Sequence, residues 1–470
     1  MDEKDLVLRA IDAARDRGVT FAEARLVRAS TEVLAVRNGE VVTFETPEDA
    51  GLSVRVLRSN AWGFAASHRL SPDAGAALVG RAVAAAEHLS VLCSNRPVEI
   101  APAPAAAATW ASPCEIDPFG VPVDRKIHLL MRCDEGLRRA TEVVATSCTM
   151  QFARRRQWYA NTEGSVIDQA FVRSGAGISA RAAGHGDVQI RSYPTSFGGQ
   201  YEAAGWELVE RLDLPGAVER VREEAVALLR ADPCPPGRRD LILGSNQVAL
   251  QIHESCGHPS ELDRVLGWEV DLAGDSFLTL DRLGRFPYGS EHVTLVADAT
   301  IPGGVATFAY DDEGVPAGRW PIVERGMFKG YLTSRETSKF AGETVSRGAA
   351  RAEGWSHFPI IRMVNLSLEP GTWEFDDLVA DTEDGVLCDT VKTWSIDQRR
   401  LNFQFTTEIG WEIKGGKRGR LLKNPTYQGK TPEFWRSCDA VCSAKHWFLW
   451  GVPNCGKGNP MQIGDRKSVV

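Results

Sequence analysis

Two histidines and a glutamate stand close together in the segment His253-Glu-Ser-Cys-Gly-His258. Imidazole nitrogens are common zinc ligands, and a carboxylate beside such a ligand is well placed to act as a general base toward water. Common zinc peptidases space the two histidines four residues apart, which puts both rings on one helical face. Here the spacing is five, so the segment holds either a metal site on an irregular turn or no metal site.

The five-residue spacing makes a geometric demand on the backbone. On a regular α-helix it would leave the two rings about 140° apart, too far around the helix to share one ion. A π-helical turn takes in one extra residue, and such turns occur preferentially at functional sites. We therefore predict that the helix beginning at Ser245 widens into a π-type turn at Gly257. Without that widening, both imidazoles would be carbonyl partners or core residues.

A catalytic zinc site needs a third protein ligand and leaves its fourth position for water. The best candidate is Cys455, in Gly451-Val-Pro-Asn-Cys-Gly-Lys-Gly458, because the glycines after it free the backbone and Lys457 can favour the thiolate. His446 is the reserve ligand, although its aromatic neighbours favour a structural role. The same segment fits the phosphate-loop pattern G-x-x-x-x-G-K, but a glycine replaces the magnesium-binding Ser or Thr and a proline interrupts the loop.

Two other groups are weaker candidates for chemistry. Cys256 lies between the histidines, and we favour a packing role because its side chain points to another side of the turn. A thiol enzyme that uses Cys256 with His258 is an alternative, and it would be alkylated but indifferent to chelators. Asp311-Asp-Glu-Gly314 resembles part of a calcium loop, but it lacks the alternating ligands and the terminal glutamate, which favours a turn.

The whole chain has the composition of a folded globular protein. It has 470 residues, of which 43% are apolar and 25% charged, and this excludes disordered, collagenous and coiled-coil classes. The net charge of -8 gives no support to a nucleic-acid binder. We expect a cytoplasmic protein without membrane contact, because no long apolar run or signal peptide is present. The 10 scattered cysteines are interpreted as thiols.

The elements expected in the first half form an α+β domain over residues 1–232. Apolar periodicity predicts helices at 5–17, 74–89, 124–139 and 217–230. Asn38-Gly39 predicts a β-hairpin, and a Pro- and Ala-rich connection is expected near 95–123. The similar segments Gly51-Leu-Ser-Val-Arg55 and Gly177-Ile-Ser-Ala-Arg181 favour an internal duplication.

The second half is predicted to be a separate domain over residues 238–470. Pro233-Cys-Pro-Pro-Gly237 ends the preceding helix and places the boundary near 232–238. After the helix from Ser245, alternating segments predict strands at 292–297, 319–332, 360–368, 401–414 and 420–423. We expect a strand-rich, barrel- or sandwich-like domain that carries the metal site.

Six separated motifs together resemble the TldD/PmbA family. They are His253-Glu-Ser-Cys-Gly-His258 with Pro259-Ser-Glu-Leu-Asp-Arg264, Tyr310-Asp-Asp-Glu-Gly-Val-Pro316, Gly330-Tyr-Leu-Thr-Ser-Arg335, Asn365-Leu-Ser-Leu-Glu-Pro370, Trp394-Ser-Ile-Asp-Gln-Arg-Arg400 and Asn454-Cys-Gly-Lys457. The resemblance covers nearly the whole chain. It is closer to the metal-bearing TldD branch than to the PmbA branch, which lacks the histidine motif.

This resemblance implies a zinc metallopeptidase in which His253, His258 and Cys455 bind Zn²⁺ and Glu254 is the general base toward a metal-activated water. It implies hydrolysis of peptide bonds in unfolded or leader peptides, as in peptide maturation. It also implies a homodimer, or a heterodimer with a metal-free paralogue. The family's historical name, modulator of DNA gyrase, implies no DNA contact. The alternative is a non-catalytic partner or scaffold subunit of such an assembly, with a structural metal or none.

The residues after Lys457 depart from the family pattern, in which a Gly- and Arg-containing strand follows the cysteine motif. Here the segment reads MQIGDRKSVV over residues 461–470. We expect this departure to affect metal affinity more than the fold.

Overall fold

The computed structural model describes residues 2–92, 97–272, 274–458, 461–463 and 467–469. Cys93 and the first two residues of the predicted connection at 95–123 lie outside the described residues, as do parts of the divergent segment after Lys457. The nine cysteines that are described are free thiols, as predicted. Among the described helices, none combines the length and the apolar character needed to cross a bilayer.

The helices predicted from periodicity are all present, displaced by at most a few residues. The α-helices are α1 Glu3–Arg15, α2 Ala74–Ser90, α3 Val123–Leu137, α4 Glu207–Leu212, α5 Leu214–Leu228, α6 Ser245–Ile252, α7 Leu262–Val265, α8 Phe375–Asp381 and α9 Thr431–Arg436. Short 3₁₀ turns span Pro118–Gly120, His258–Ser260, Leu280–Arg282, Ser338–Ala341 and Ala444–His446. The amphipathic α1 begins where the Asp2 side chain accepts a hydrogen bond from the backbone N–H of Lys4.

The first half is built around one large sheet. Its strands are β1 Phe21–Arg37, β2 Glu40–Glu45, β3 Glu48–Arg58, β4 Ala61–Ser67, β5 Ala107–Ala111, β6 Val143–Asn161, β7 Val166–Gly184, β8 Asp187–Tyr193 and β9 Gln200–Glu202. The predicted hairpin joins β1 to β2, and its two turn residues have φ of 51° and 85°. Both values are positive, as the tight turn between twisted strands requires.

Strand order in this sheet is symmetric about the central β1–β6 pair. On one side of this pair, β1 is followed by β3 and then β4. On the other side, β6 is followed by β7, which also pairs with β8. One apolar cluster packs β1 and β3 under α1 and α2, and another packs β6 and β7 under α3 and α5. The two similar segments at 51–55 and 177–181 lie in β3 and β7, which occupy matching places in this order. The duplication stays a prediction.

The Pro- and Ala-rich connection contains a strand that the sequence did not predict. Its residues Ala107–Ala111 form β5, which pairs in parallel with β7. The prolines at 104 and 113 flank the strand without entering it. Because β5 lies at the end of the strand order, only one of its sides needs hydrogen-bond partners.

The second half contains two larger sheets and one short strand pair. Its strands are β10 Asp232–Pro233, β11 Asp240–Leu243, β12 Leu295–Asp298, β13 Arg319–Glu324, β14 Met327–Phe328, β15 Ala350–Arg351, β16 Ile360–Ile361, β17 Asn365–Leu368, β18 Asp384–Ile396, β19 Asn402–Lys414, β20 Lys417–Lys423, β21 Thr426–Lys430, β22 Trp450–Val452 and β23 Lys467–Val469. The orders are β10-β20-β19-β18-β11 and β14-β13-β12-β17-β23-β22. Over the described residues these sheets are open, so the barrel form of the prediction is wrong.

Helix α6 lies between the two larger sheets and carries the histidine segment at its end. Its Leu250 packs with Val391 and Phe405 of the β18–β19 sheet. On another side of the helix, Ile252 packs in the cluster that contains Leu295 of β12. Because both sheets hold α6, its C-terminal end has a fixed position in the interior.

The turn at 311–314 joins the second half to the first through buried ion pairs. Asp311 caps this turn by accepting the backbone N–H of Val315 at 2.9 Å, so the predicted turn is confirmed. Next to it, Asp312 accepts a hydrogen bond from Arg25 of β1 at 3.1 Å. Both side chains of this pair are almost fully buried. The acidic residues of this motif therefore anchor the second half on the first sheet.

Candidate metal centre

The predicted widening of the helix is present. After α6 ends at Ile252, residues His253–Gly257 form a π-helical turn, and a 3₁₀ turn begins at His258. Close packing explains the glycine at 257, because a Cβ there would lie 2.0 Å from Met363 Sδ. The irregular turn brings the two imidazoles to one side of the backbone.

Three potential ligand atoms converge from distant parts of the sequence. The Nε2 atoms of His253 and His258 are 3.2 Å apart. Cys455 Sγ lies 3.8 Å from the first of these nitrogens and 3.5 Å from the second. Both histidines are buried, whereas Cys455 is half-buried. The structure therefore brings together the three residues that the sequence predicted as ligands.

The spacing of these atoms matches what a tetrahedral zinc ion requires. With Zn–N bonds of about 2.05 Å and a Zn–S bond of about 2.3 Å, tetrahedral angles give an N–N separation of about 3.4 Å and an N–S separation of about 3.6 Å. The observed 3.2, 3.5 and 3.8 Å lie close to these values. Two imidazoles and a thiolate also form a donor set that suits zinc better than magnesium or calcium.

Glu254 lies beside the cluster and is itself buried. Its Oε1 is 4.0 Å from His253 Nε2, and its Oε2 accepts a hydrogen bond from Arg400 Nη1 at 3.1 Å. The predicted base is thus next to the predicted ligands. Arg400 was not predicted as a site residue, although it ends one of the motifs that carry the family resemblance.

A second carboxylate fixes the orientation of His258. Its Nδ1 lies 2.9 Å from Glu261 Oε2, and because a carboxylate only accepts, the ring donates from Nδ1 and keeps Nε2 as the ligand atom. Burial would raise the pKa of Glu261, but the positive charge of Lys457 and the hydrogen bond from His258 outweigh burial and hold that pKa well below its ordinary value. Glu261 follows the candidate ligand His258 by three residues, and this spacing could have identified it from the sequence.

Lys457 connects the cysteine segment to the histidine segment. Its buried Nζ donates to Asp263 Oδ1 at 2.8 Å and to the Ile361 carbonyl at 2.7 Å. Glu261 Oε1 lies 3.3 Å from the same nitrogen. The expectation was that Lys457 would act on the Cys455 thiolate, but these contacts show the ammonium group bound to acidic residues that follow the histidines.

Comparison with known proteins assigns the chain to a family. Three family models match it: PmbA/TldA metallopeptidase domain 1 over residues 22–86, the central domain over 116–229 and the C-terminal domain over 236–463. A metalloprotease of Methanocaldococcus jannaschii is 30% identical over 453 residues, which are 96% of this chain and 95% of the relative. The chain belongs to the TldD/PmbA metallopeptidase family.

Other TldD/PmbA comparisons agree over most of the chain. A protein of Saccharolobus solfataricus named zinc metalloprotease TldD homolog is 20% identical over 433 residues, covering 90% of this chain and 89% of that protein. A solved structure from Thermotoga maritima, named for DNA gyrase modulation, matches with a TM-score of 0.77 at 17% identity. That match covers 100% of this chain and 99% of the other, so the two share a fold.

Cys256, the alternative nucleophile, and His446, the reserve ligand, both have structural contacts in this TldD/PmbA chain. Cys256 is fully buried in an apolar cluster, as predicted, and this burial raises the pKa of its thiol. A raised pKa opposes the thiolate that a thiol enzyme needs. His446 is outside the cluster, and its Nε2 accepts the backbone N–H of Phe375 at 3.3 Å. The reserve ligand therefore packs elsewhere.

Proposed function

We propose that this chain hydrolyses peptide bonds with a zinc ion held by His253, His258 and Cys455. The supporting observation is the convergence of their ligand atoms, which all lie within 4.8 Å of one another. When bound, zinc would supply a Lewis acid that polarises the scissile carbonyl and makes water more acidic.

Glu254 is the proposed general base. Its Oε1 is 4.0 Å from His253 Nε2, so the carboxylate is adjacent to the atoms that would hold the metal. The carboxylate would accept a proton from a water molecule and later give it to the departing amine. Burial of Glu254 supports the assignment, because an acidic group facing away from bulk solvent keeps the proton within the site.

The proposed substrate is an unfolded or leader peptide bound in an extended conformation. One side of β18 is paired with β11 only over Gly385–Cys388, while residues 391–396 pair with β19 alone in the described part of the chain. This open edge leads into the turn that carries Arg400. An extended peptide could add there as a further strand, because backbone hydrogen bonds tolerate many sequences. Folded proteins would be poor substrates, since their backbone groups are already paired.

The test is replacement of Glu254 by glutamine, which keeps the size of the side chain and removes its basicity. We expect a full complement of zinc by elemental analysis and a loss of at least about 100-fold in hydrolysis of an unfolded peptide. Glu374→Gln is the matched control and should be fully active, because that carboxylate is paired with Lys445 and His446 and not with the cluster. Retained hydrolysis in the Glu254 variant would exclude its role as the base.

Metal removal separates the peptidase from the scaffold alternative. A chelator should abolish hydrolysis, and added Zn²⁺ should restore it. A scaffold subunit would contain no zinc, or a zinc whose removal changes assembly without changing any hydrolysis. The predicted homodimer or heterodimer with a metal-free paralogue is tested separately, by light scattering of the chain alone and with that paralogue.

A further inference from the structure

Arg400 is held in an unfavourable conformation beside the metal centre. It lies in the turn between β18 and β19 with φ of 63°, a left-handed value that is uncommon for residues other than glycine. Its Nε is buried and has no hydrogen-bond partner among the residues that the structure describes. Both features cost stability, and residues held in this way cluster at functional sites.

The surrounding chain fixes the backbone of Arg400 from two sides. Its N–H donates to the Asp397 carbonyl at 2.9 Å, and the Asp397 carboxylate accepts the N–H of Leu401 at 2.8 Å. Its own carbonyl accepts the hydroxyl of Thr431 at 2.9 Å. These hydrogen bonds hold the backbone of the turn in place. The position from which the Arg400 side chain extends is therefore set by the turn.

The two arginines of this turn have different surroundings. Arg399 is 65% exposed and lies 3.3 Å from Asp275 at the surface. Arg400 is only 16% exposed and reaches Glu254, with Nη1 3.1 Å from Oε2. A charge contributing only to the stability of the turn could remain in solvent, as Arg399 does. The inward side chain instead occupies one oxygen of the proposed base.

We propose that Arg400 is a positioning residue for Glu254. By occupying Oε2, the guanidinium fixes the rotation of the carboxylate so that Oε1 faces the ligand atoms. In this role Arg400 acts through Glu254 and binds neither the metal nor the substrate. The inference rests on the proposed function, because it assumes that Glu254 acts as the base.

The test compares three variants with the zinc-loaded wild type on an unfolded peptide. Arg400→Ala should lower kcat by about 10- to 100-fold and leave KM within about twofold, because only the orientation of the base is lost. Arg400→Lys keeps one donor and should recover part of kcat. Arg399→Ala is the matched control and should match the wild type. Zinc content should be unchanged in all three variants.

A structural measurement provides a readout independent of turnover. In crystals of the zinc-free Arg400→Ala protein, the Glu254 carboxylate should be rotated or disordered, while the π-turn remains unchanged. If the alanine variant does not fold, Arg400→Met, which keeps the apolar stem, replaces it. Unchanged kcat, or a raised KM with unchanged kcat, would overturn the proposal.

Glutamate replacement distinguishes failure of this inference from failure of the proposed function. If Glu254→Gln is inactive while Arg400→Ala is fully active, only the positioning role is wrong. If Glu254→Gln retains turnover, Glu254 is not the base, and the positioning role of Arg400 is then wrong as well. In the Glu254→Gln background, Arg400→Ala should cause no further loss in kcat, because the two residues act as one unit.

Discussion

At the scale of single residues, Lys457 links the two stretches of chain that form the candidate metal centre. It is two positions after Cys455, and its ammonium group contacts Asp263 and Glu261, which follow His258. Its side chain has no exposed surface, so its charge is compensated by buried carboxylates, which include that of Glu269 at 3.8 Å. Burial lowers the pKa of Lys457, but the surrounding carboxylates outweigh burial and raise it overall. The lysine therefore remains charged and holds the thiol segment against the histidine segment.

Replacing Lys457 by methionine should weaken zinc binding by about 10- to 100-fold, because the Cys455 segment loses its anchor. The variant should also lose about 3–5 kcal/mol of unfolding free energy, since it leaves buried carboxylates without their cation. Competition with a zinc chelator and urea unfolding measure the two effects. Lys445→Met, on a lysine that is 75% exposed, is the control and should change neither quantity. Wild-type zinc affinity in the Lys457 variant would contradict the anchoring role.

Sequence patterns identified the residues expected to touch the metal better than the residues that support them. Only a few side chains can bind zinc, so residue type and local sequence context made His253, His258 and Cys455 the leading candidates, with His446 as an alternative ligand. Arg400 and Lys457 act through contacts between segments far apart in the sequence. Such partners can be any residue of suitable charge, and only the three-dimensional fold determines which one is near.

At the scale of elements, the π-turn and its packing determine whether both imidazoles face one point. The turn His253–Gly257 packs closely against the segment that precedes β17. A Cβ on residue 257 would meet Met363 Sδ at 2.0 Å and Leu366 Cδ1 at 2.7 Å. There is no space for a methyl group unless the turn or the methionine moves.

Gly257→Ala should therefore displace the π-turn, lower zinc content and destabilise the protein by about 1–3 kcal/mol. The added substitution Met363→Ala should restore part of the zinc content, because it removes the atom that clashes. Gly318→Ala is the control, since a Cβ there has no heavy atom within 4 Å. Elemental analysis and thermal unfolding measure these effects. Full zinc content in Gly257→Ala alone would show that the turn tolerates a side chain.

Periodicity predicted the longer helices α1, α2, α3 and α5 and many of the strands. It did not predict the short helices α4, α7, α8 and α9, and among the strands that it missed is β18. This strand contains Thr390 with φ of 61°, and its pairing with β19 shifts register between Val391 and Thr393. A bulge of this kind interrupts the alternation of apolar and polar residues, so the pattern no longer indicates a strand. The omission matters because β18 leads directly to the turn of Arg400.

At the scale of the whole molecule, charged side chains join the first sheet to the second half. Glu408 of β19 accepts hydrogen bonds from Arg191 Nη1 at 3.0 Å and from the backbone N–H of Ser192 at 2.8 Å. Nearby, Lys423 of β20 donates to Asp187 of β8 at 2.6 Å. The strand β8 therefore carries several ionic contacts that connect the two halves.

The pair formed by Asp187 and Lys423 should make stability depend on acidity. Hydrogen bonds from Lys423 and Gln189 lower the pKa of Asp187 from 3.8 to about 2. The folded carboxylate then binds fewer protons than the unfolded one, so this stabilisation is present above pH 3.8 and is lost as the pH falls through about 2.

Urea unfolding between pH 5 and about pH 2, with chelator present throughout, measures this contribution. The free energy of unfolding should fall more steeply with decreasing pH in the wild type than in Asp187→Asn. Lys423→Met should remove the same part of the slope, because it removes the main cause of the lowered pKa. Equal slopes in all three proteins would show that the pair contributes nothing measurable.

The separation of the ligands along the chain has a consequence during protein synthesis. Cys455 is 197 residues later than His258. A ribosome therefore translates both histidines and the base long before it reaches the thiol. Until that codon has been read and the segment has left the exit tunnel, a nascent chain contains only two of the three proposed zinc donors. Peptidase activity of the proposed kind thus cannot begin before the residues between His258 and Cys455 have been synthesised and have had the opportunity to fold.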